Sequence, residues 1–146
     1  MNPSNILCWN VRGLNSRAQQ DSVNTLVSVS KVDVLCIYET KMEGIAQGTL
    51  LSTLGSAFSH FVGPAADVRV NNYSVSVQYS SPLGPSWCLT CVYGPQGDDN
   101  KLLFLQELKG VRAACLGQWI LLGDLNLIGR AVDKNNDNLN RTMMGR

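Results

Sequence analysis

Charge is scarce in this sequence. Only 16% of its 146 residues are Asp, Glu, Lys or Arg, and the formal net charge is +1. A net charge of that size gives no electrostatic footprint, so any nucleic-acid binding must be argued from a site and not from bulk basicity. Histidine occurs once. His60 lies in FSHFVGP among Phe58, Phe61 and Val62, which reads as a packed or edge residue and not as a catalytic base. Nowhere do about 18 apolar residues run together, so no membrane span is expected. The opening MNPSNILCWN lacks the basic and apolar regions of a secretory leader, which points to an intracellular chain. The five cysteines, Cys8, Cys36, Cys88, Cys91 and Cys115, are odd in number and scattered through apolar segments. Free buried thiols in a reducing compartment are therefore expected. Asn72-Tyr73-Ser74 and Asn140-Arg141-Thr142 fit the glycosylation pattern, but without secretion the pattern carries no weight.

A hydrophobic share of 45% is globular, and the length suits a single domain, 1–146, with a sizeable core. Ile6 to Val11 reads as a strand. Ser16 can cap a helix over about Arg17 to Ser30, in which Val23, Leu26, Val27 and Ser30 recur at helical spacing. Lys31 sits where a cation favours the helix end. Val34 to Tyr38 is a second strand, so the first forty residues form a βαβ unit with parallel strands. A weak helix over 44–54 and a strand around His60 follow, and Ala65 to Asn72 is polar and turn-like. Tyr73 to Tyr79 alternates, with Tyr73, Val75, Val77 and Tyr79 on one face and Ser74, Ser76 and Gln78 on the other. It should form a hairpin with Trp87 to Tyr93. Cys88 and Cys91 make a C-x-x-C pair, but positions three apart on a strand face opposite ways, so no metal or disulfide should join them. Asp98 to Asn100 supply an N-cap cluster for a helix running to about Cys115, with Leu105, Leu108 and Arg112 beside Phe104 and Val111. Gly117 ends it. The tail from Ile128 is rich in Asn and Arg.

The organising stretch is Trp119 to Asn126, WILLGDLN. Its apolar run fits a strand buried on both faces, ending at Gly123 and presenting Asp124 and Asn126 side by side. Gly, Asp and Asn also mark ordinary turns. Asn10, Glu39 and Tyr93 stand at three other strand ends, where open α/β sheets place ligands. Singly, each could be a cap, a solvated end or a salt bridge such as Glu39 with Lys41.

Together, CWNVRGL with Asn10, CIYETK with Glu39, CVYGP with Tyr93 and GDLN with Asp124 and Asn126 resemble the successive motifs of the endonuclease/exonuclease/phosphatase superfamily. WNVRGLN, LGSAFSHFVGP and DKNNDNLNRTMMGR are most similar to the endonuclease domains of plant LINE (non-LTR) retrotransposons. The resemblance implies a four-layer α/β/β/α sandwich with mixed sheets and cleavage of phosphodiester bonds in DNA. It further implies Mg²⁺ (or Mn²⁺) and no small-molecule cofactor. Glu39 and Asn10 would hold the metal, with Asn10, Tyr93 and Asn126 on the phosphate. Asp124 would be the general base, oriented with Asn126, and Tyr93 would donate a hydrogen bond. Mg²⁺ is usually held by one or two carboxylates plus substrate phosphate, which agrees. A functional copy would be nuclear, and oligomeric state is left open.

The family's later Ser-Asp-His motif has no counterpart here, so the C-terminal part of such a domain is expected to be missing. A Gly-rich apolar strand looks deleted around Ala65 to Asn71. Tyr38 replaces the usual Gln and Leu125 the usual Phe. An impaired or inactive endonuclease with a marginal fold is therefore expected. The alternatives are a non-catalytic retroelement remnant and a phosphatase of the same superfamily.

Overall fold

The computed structural model describes residues 5–43, 48, 53–54, 66–80 and 82–127. The expected strand at His60 and the tail lie outside these residues, as does the expected 44–54 helix apart from 48, 53 and 54. Among the described residues the protein is mixed α/β, with two α-helices and two sheets of two and four strands. It divides into two compact units, Met1–Pro64 and Ala65–Arg146. No described helix is long and apolar enough to cross a membrane.

In the first unit, β1 (Ile6–Asn10) and β2 (Val34–Tyr38) pair in parallel, with Asn10 opposite Tyr38. The crossover is α1 (Arg17–Ser30). Ser16 Oγ accepts the Gln19 backbone N–H at 3.3 Å while Gln19 Oε1 accepts the Ser16 N–H at 3.2 Å, a reciprocal capping box. Two of the N–H groups that every helix start leaves open are thereby satisfied. Lys31 ends the helix in the left-handed region at φ 47°, its N–H bonded to Val27 O. Val23 and Val27, four residues apart, pack with Leu14 and Leu54 against Trp9, Leu35 and Ile37. Leu26, expected on that stripe, is 37% exposed. Its position falls off the Val23–Val27 line, toward solvent.

The second unit is a four-stranded sheet in the order β3-β4-β5-β6. The strands are β3 (Ala66–Val70), β4 (Ser74–Tyr79), β5 (Trp87–Tyr93) and β6 (Gln118–Asp124). The first two pairings are antiparallel and β5–β6 is parallel. The parallel crossover is α2 (Lys101–Ala114), preceded by a 3₁₀ turn over Asp98–Asn100. Two expectations need correction. Ala66–Val70 is a strand and not a turn, paired rung for rung with β4. Its alternation of Val68 and Val70 with Asp67 and Arg69 is the signal, masked by the surrounding polar residues. β6 runs through Gly123 instead of stopping before it, and it is not buried on both faces, since Ile120 is 37% exposed. It is an edge of the described sheet; the strand buried throughout is β5, from Trp87 to Val92.

On β4, the buried face is the polar one. Ser74 and Ser76 are each 4% exposed, whereas Val75 is 41% exposed. The hydroxyls are tolerated because each has a partner. Ser76 Oγ pairs with Thr90 Oγ1 at 2.9 Å, and Trp119 Nε1 donates to the same Thr90 oxygen at 2.9 Å. Ser74 Oγ donates to Glu107 Oε1 of α2 at 2.6 Å. The same carboxylate accepts the backbone N–H groups of Asn72 and Tyr73, each at 3.1 Å, and so fastens α2 to the β3–β4 turn. Glu107→Ala removes all three hydrogen bonds and is expected to cost about 2 kcal/mol. Chemical denaturation with Glu107→Gln alongside, which keeps one oxygen, measures it. Phe104, fully buried, packs with Val92 and Leu108 and meets Tyr73 edge-on at 5.6 Å.

The expected free thiols are also corrected. Cys88 of β5 and Cys115, the C-cap of α2, are joined by a disulfide. Cys8 is a free thiol, and burial pushes its pKa up. Cys88 pairs with Cys115 and not with Cys91, in keeping with the opposed faces of the C-x-x-C positions.

Candidate functional site

All five sequence-selected residues lie at or just past the C-terminal ends of parallel-paired strands, and all five are half-buried. The geometry groups them by unit.

In the first unit, Asn10 closes β1 and Glu39 follows β2 directly. The ladder continues beyond the strands, with Val11 N–H donating to Tyr38 O at 3.2 Å and Leu14 N–H to Thr40 O at 2.9 Å. The loops carrying both residues are thus sewn together. Asn10 Oδ1 accepts the Arg12 N–H at 3.1 Å, which fixes the amide and leaves its oxygen a second lone pair. Left-handed backbone gathers here, at Arg12 (φ 51°), Glu39 (φ 57°) and Lys41 (φ 55°). Each such residue costs roughly 1–2 kcal/mol unless it is glycine, and clustered strain of this kind accompanies functional sites. Substitution separates the backbone contribution from the side chain. Glu39→Gly and Glu39→Ala remove the same carboxylate, yet the glycine variant is expected to be about 1 kcal/mol more stable. Paired thermal melts decide it; equal stabilities would mean that the left-handed conformation at 39 carries no cost.

In the second unit, Tyr93 and Asp124 are direct partners across β5–β6. Asp124 Oδ1 accepts the Asn126 N–H at 3.1 Å, and Asn126 Nδ2 donates to Gly94 O at 2.8 Å. Asn126 adopts φ 50°, a conformation Asn tolerates better than most residues. Gly94 N–H donates to Asp124 O at 2.7 Å, extending the ladder one rung past the strands. Gln96 Nε2 reaches Tyr93 Oη at 3.4 Å, leaving the phenol hydrogen out of that bond. The carboxylate, the amide and the phenol are therefore held on one hydrogen-bonded strand end.

Sequence reasoning missed two participants. Gln96 orients the phenol, and no spacing signals it. Gly94 matters because an added Cβ would overlap the Leu125 carbonyl; the Gly-Pro pair read only as a turn. The first unit offers an amide and a carboxylate, and the second offers a carboxylate, an amide and a phenol. No cluster of three or more His, Cys, Asp or Glu suited to a metal occurs among the described residues, so a transition-metal cage is not present there, whereas a hard ion needing one carboxylate is compatible. Set against known proteins, the chain matches no family model and no curated protein.

Proposed function

We propose that the chain is an endonuclease/exonuclease/phosphatase-type domain, of the LINE retrotransposon kind, that hydrolyses phosphodiester bonds in DNA with Mg²⁺ (or Mn²⁺). The observation that carries the reading is the placement of every motif residue, half-buried, at the C-terminal end of a parallel strand pair. The four-layer α/β/β/α sandwich belongs to the same reading.

The residues present fit the ion. Glu39 supplies a carboxylate, and the Asn10 amide oxygen retains a lone pair after accepting from Arg12. This is the sparse oxygen set with which Mg²⁺ is usually held, water and phosphate completing it. When bound, the ion would neutralise charge on the scissile phosphodiester. The protein's own groups do the rest. In the second unit Tyr93 would donate a hydrogen bond to a phosphate oxygen, and Asp124, held with Asn126 on one strand end, would take the proton of the attacking water.

No Ser-Asp-His sequence occurs in the 146 residues, so slow cleavage is expected. The test is nicking of supercoiled plasmid by the 146-residue chain in Mg²⁺, in EDTA and with Glu39→Gln. Slow nicking that disappears in both controls supports the reading. Nicking equal in all three, or none above buffer, overturns it.

A further inference from the structure

We infer that the Cys88–Cys115 disulfide is a thiol-cleavable latch on the start of β6, opened by attack at Cys115, with the buried Thr90 hydroxyl receiving the sulfur that leaves. This inference stands independently of the proposed nuclease activity.

Access and leaving group are separated along the bond. Cys88 is 2% exposed, whereas Cys115, at the end of α2, is half-buried. An incoming thiolate therefore reaches the Cys115 sulfur, and the bond's electron pair departs with Cys88. A thiolate expelled into a buried site is costly unless a donor meets it. The hydroxyl geometry provides one. Trp119 Nε1 can only donate, and it donates to Thr90 Oγ1 at 2.9 Å. Ser76 Oγ lies 2.9 Å from the same oxygen and either hydroxyl can donate; when Ser76 donates, both Thr90 lone pairs are taken. The single Thr90 hydrogen is then left for Cys88 Sγ, at 4.0 Å. Stabilising the departing sulfur speeds exchange. A cavity of about 20 Å³, bordered by Ser76, Gln78, Val111, Ala114 and both cysteines, gives the freed sulfur room.

The chemistry balances with a small monothiol of the glutathione class as reductant. Its thiolate forms a mixed disulfide with Cys115 as the Cys88–Cys115 bond breaks. A second thiol attacks the small-molecule sulfur of that mixed disulfide and releases Cys115. Two thiols become one small disulfide, and their two protons end on Cys88 and Cys115.

Opening has a local consequence. Past Cys115 the chain turns at Leu116–Gly117 into β6, and Gln78 grips Leu116 like a peptide group. Its Oε1 accepts the Leu116 N–H at 2.9 Å and its Nε2 donates to Leu116 O at 3.1 Å. With the disulfide gone, the turn is held by that clasp and by the Gln118 N–H donating to Ser86 O at 3.3 Å.

The experiment treats the 146-residue chain with glutathione, quenches with acid and maps the mixed disulfide by peptide mass spectrometry. The adduct is expected on Cys115 over Cys88 by about tenfold or more, and Thr90→Val should open about tenfold more slowly while Thr90→Ser keeps the original rate. Amide exchange at Leu116 to Gln118 should rise on opening. An adduct on Cys88, or Thr90→Val opening as fast as the unmodified chain, overturns the inference. Adduct mapping needs no variant, so it decides the matter even if Thr90→Val does not fold.

Discussion

Gly123→Ala destabilises the protein by about 4 kcal/mol or more, whereas Gly110→Ala stabilises it by about 1 kcal/mol. The same methyl group is added in both. At Gly123, φ is +125°, and the new Cβ would overlap the Val92 carbonyl oxygen, the neighbour across the β5–β6 ladder. Backbone has no rotamer into which it can retreat, so either the ladder opens or the chain refuses the conformation. Losses of that size are exceptional for one substitution and consume much of a domain's total stability. At Gly110, on the exposed side of α2, an added Cβ meets nothing within 4 Å. There alanine only reduces the freedom of the unfolded chain and favours the helix. Urea unfolding of both variants gives the two signs in one experiment. A neutral Gly123→Ala would show that β6 does not lie against Val92 as described.

Asp124→Asn leaves stability unchanged but lowers Mg²⁺-dependent nicking by about 10²-fold or more. The carboxylate's structural task is to accept the Asn126 N–H through Oδ1, and the amide of asparagine keeps that oxygen. What it loses is the capacity to take a proton from water. Asn126→Ala is the complement. It surrenders the bond to Gly94 O, so it should cost about 1 kcal/mol of stability as well as activity. Melting temperatures with plasmid nicking separate the two effects. Undiminished nicking by Asp124→Asn would remove Asp124 from the role of base.

Much of the local structure was legible in the sequence. The ends of α1 could be read because a Ser16 cap and an apolar stripe act within a few residues. The parallel pairing of β1 with β2 followed from the length of the crossover between them. What stayed hidden depended on partners remote in sequence. Nothing in YSVSVQY reveals that Ser76 will find Thr90, or Ser74 will find Glu107, so which face is buried could not be read. Ala66–Val70 failed for a related reason, being a strand with a single paired edge among the described residues and too short for its alternation to stand out. Cys115 could not be matched to Cys88 because proximity arises only once α2 has crossed the sheet. At the candidate site, residue types and strand-end placement were readable; the left-handed Glu39 and the Gln96 contact were not.

The hydroxyls sealed beneath α2 have one more effect. Sliding β4 by a single residue would turn Val75 and Val77 toward the helix, an arrangement that hydrophobicity by itself would favour. It would also strand Thr90 and Glu107 without Ser76 and Ser74. Their loss penalises the shifted alignment, so these modest polar contacts act as a vernier, selecting one alignment of the hairpin over a greasier competitor.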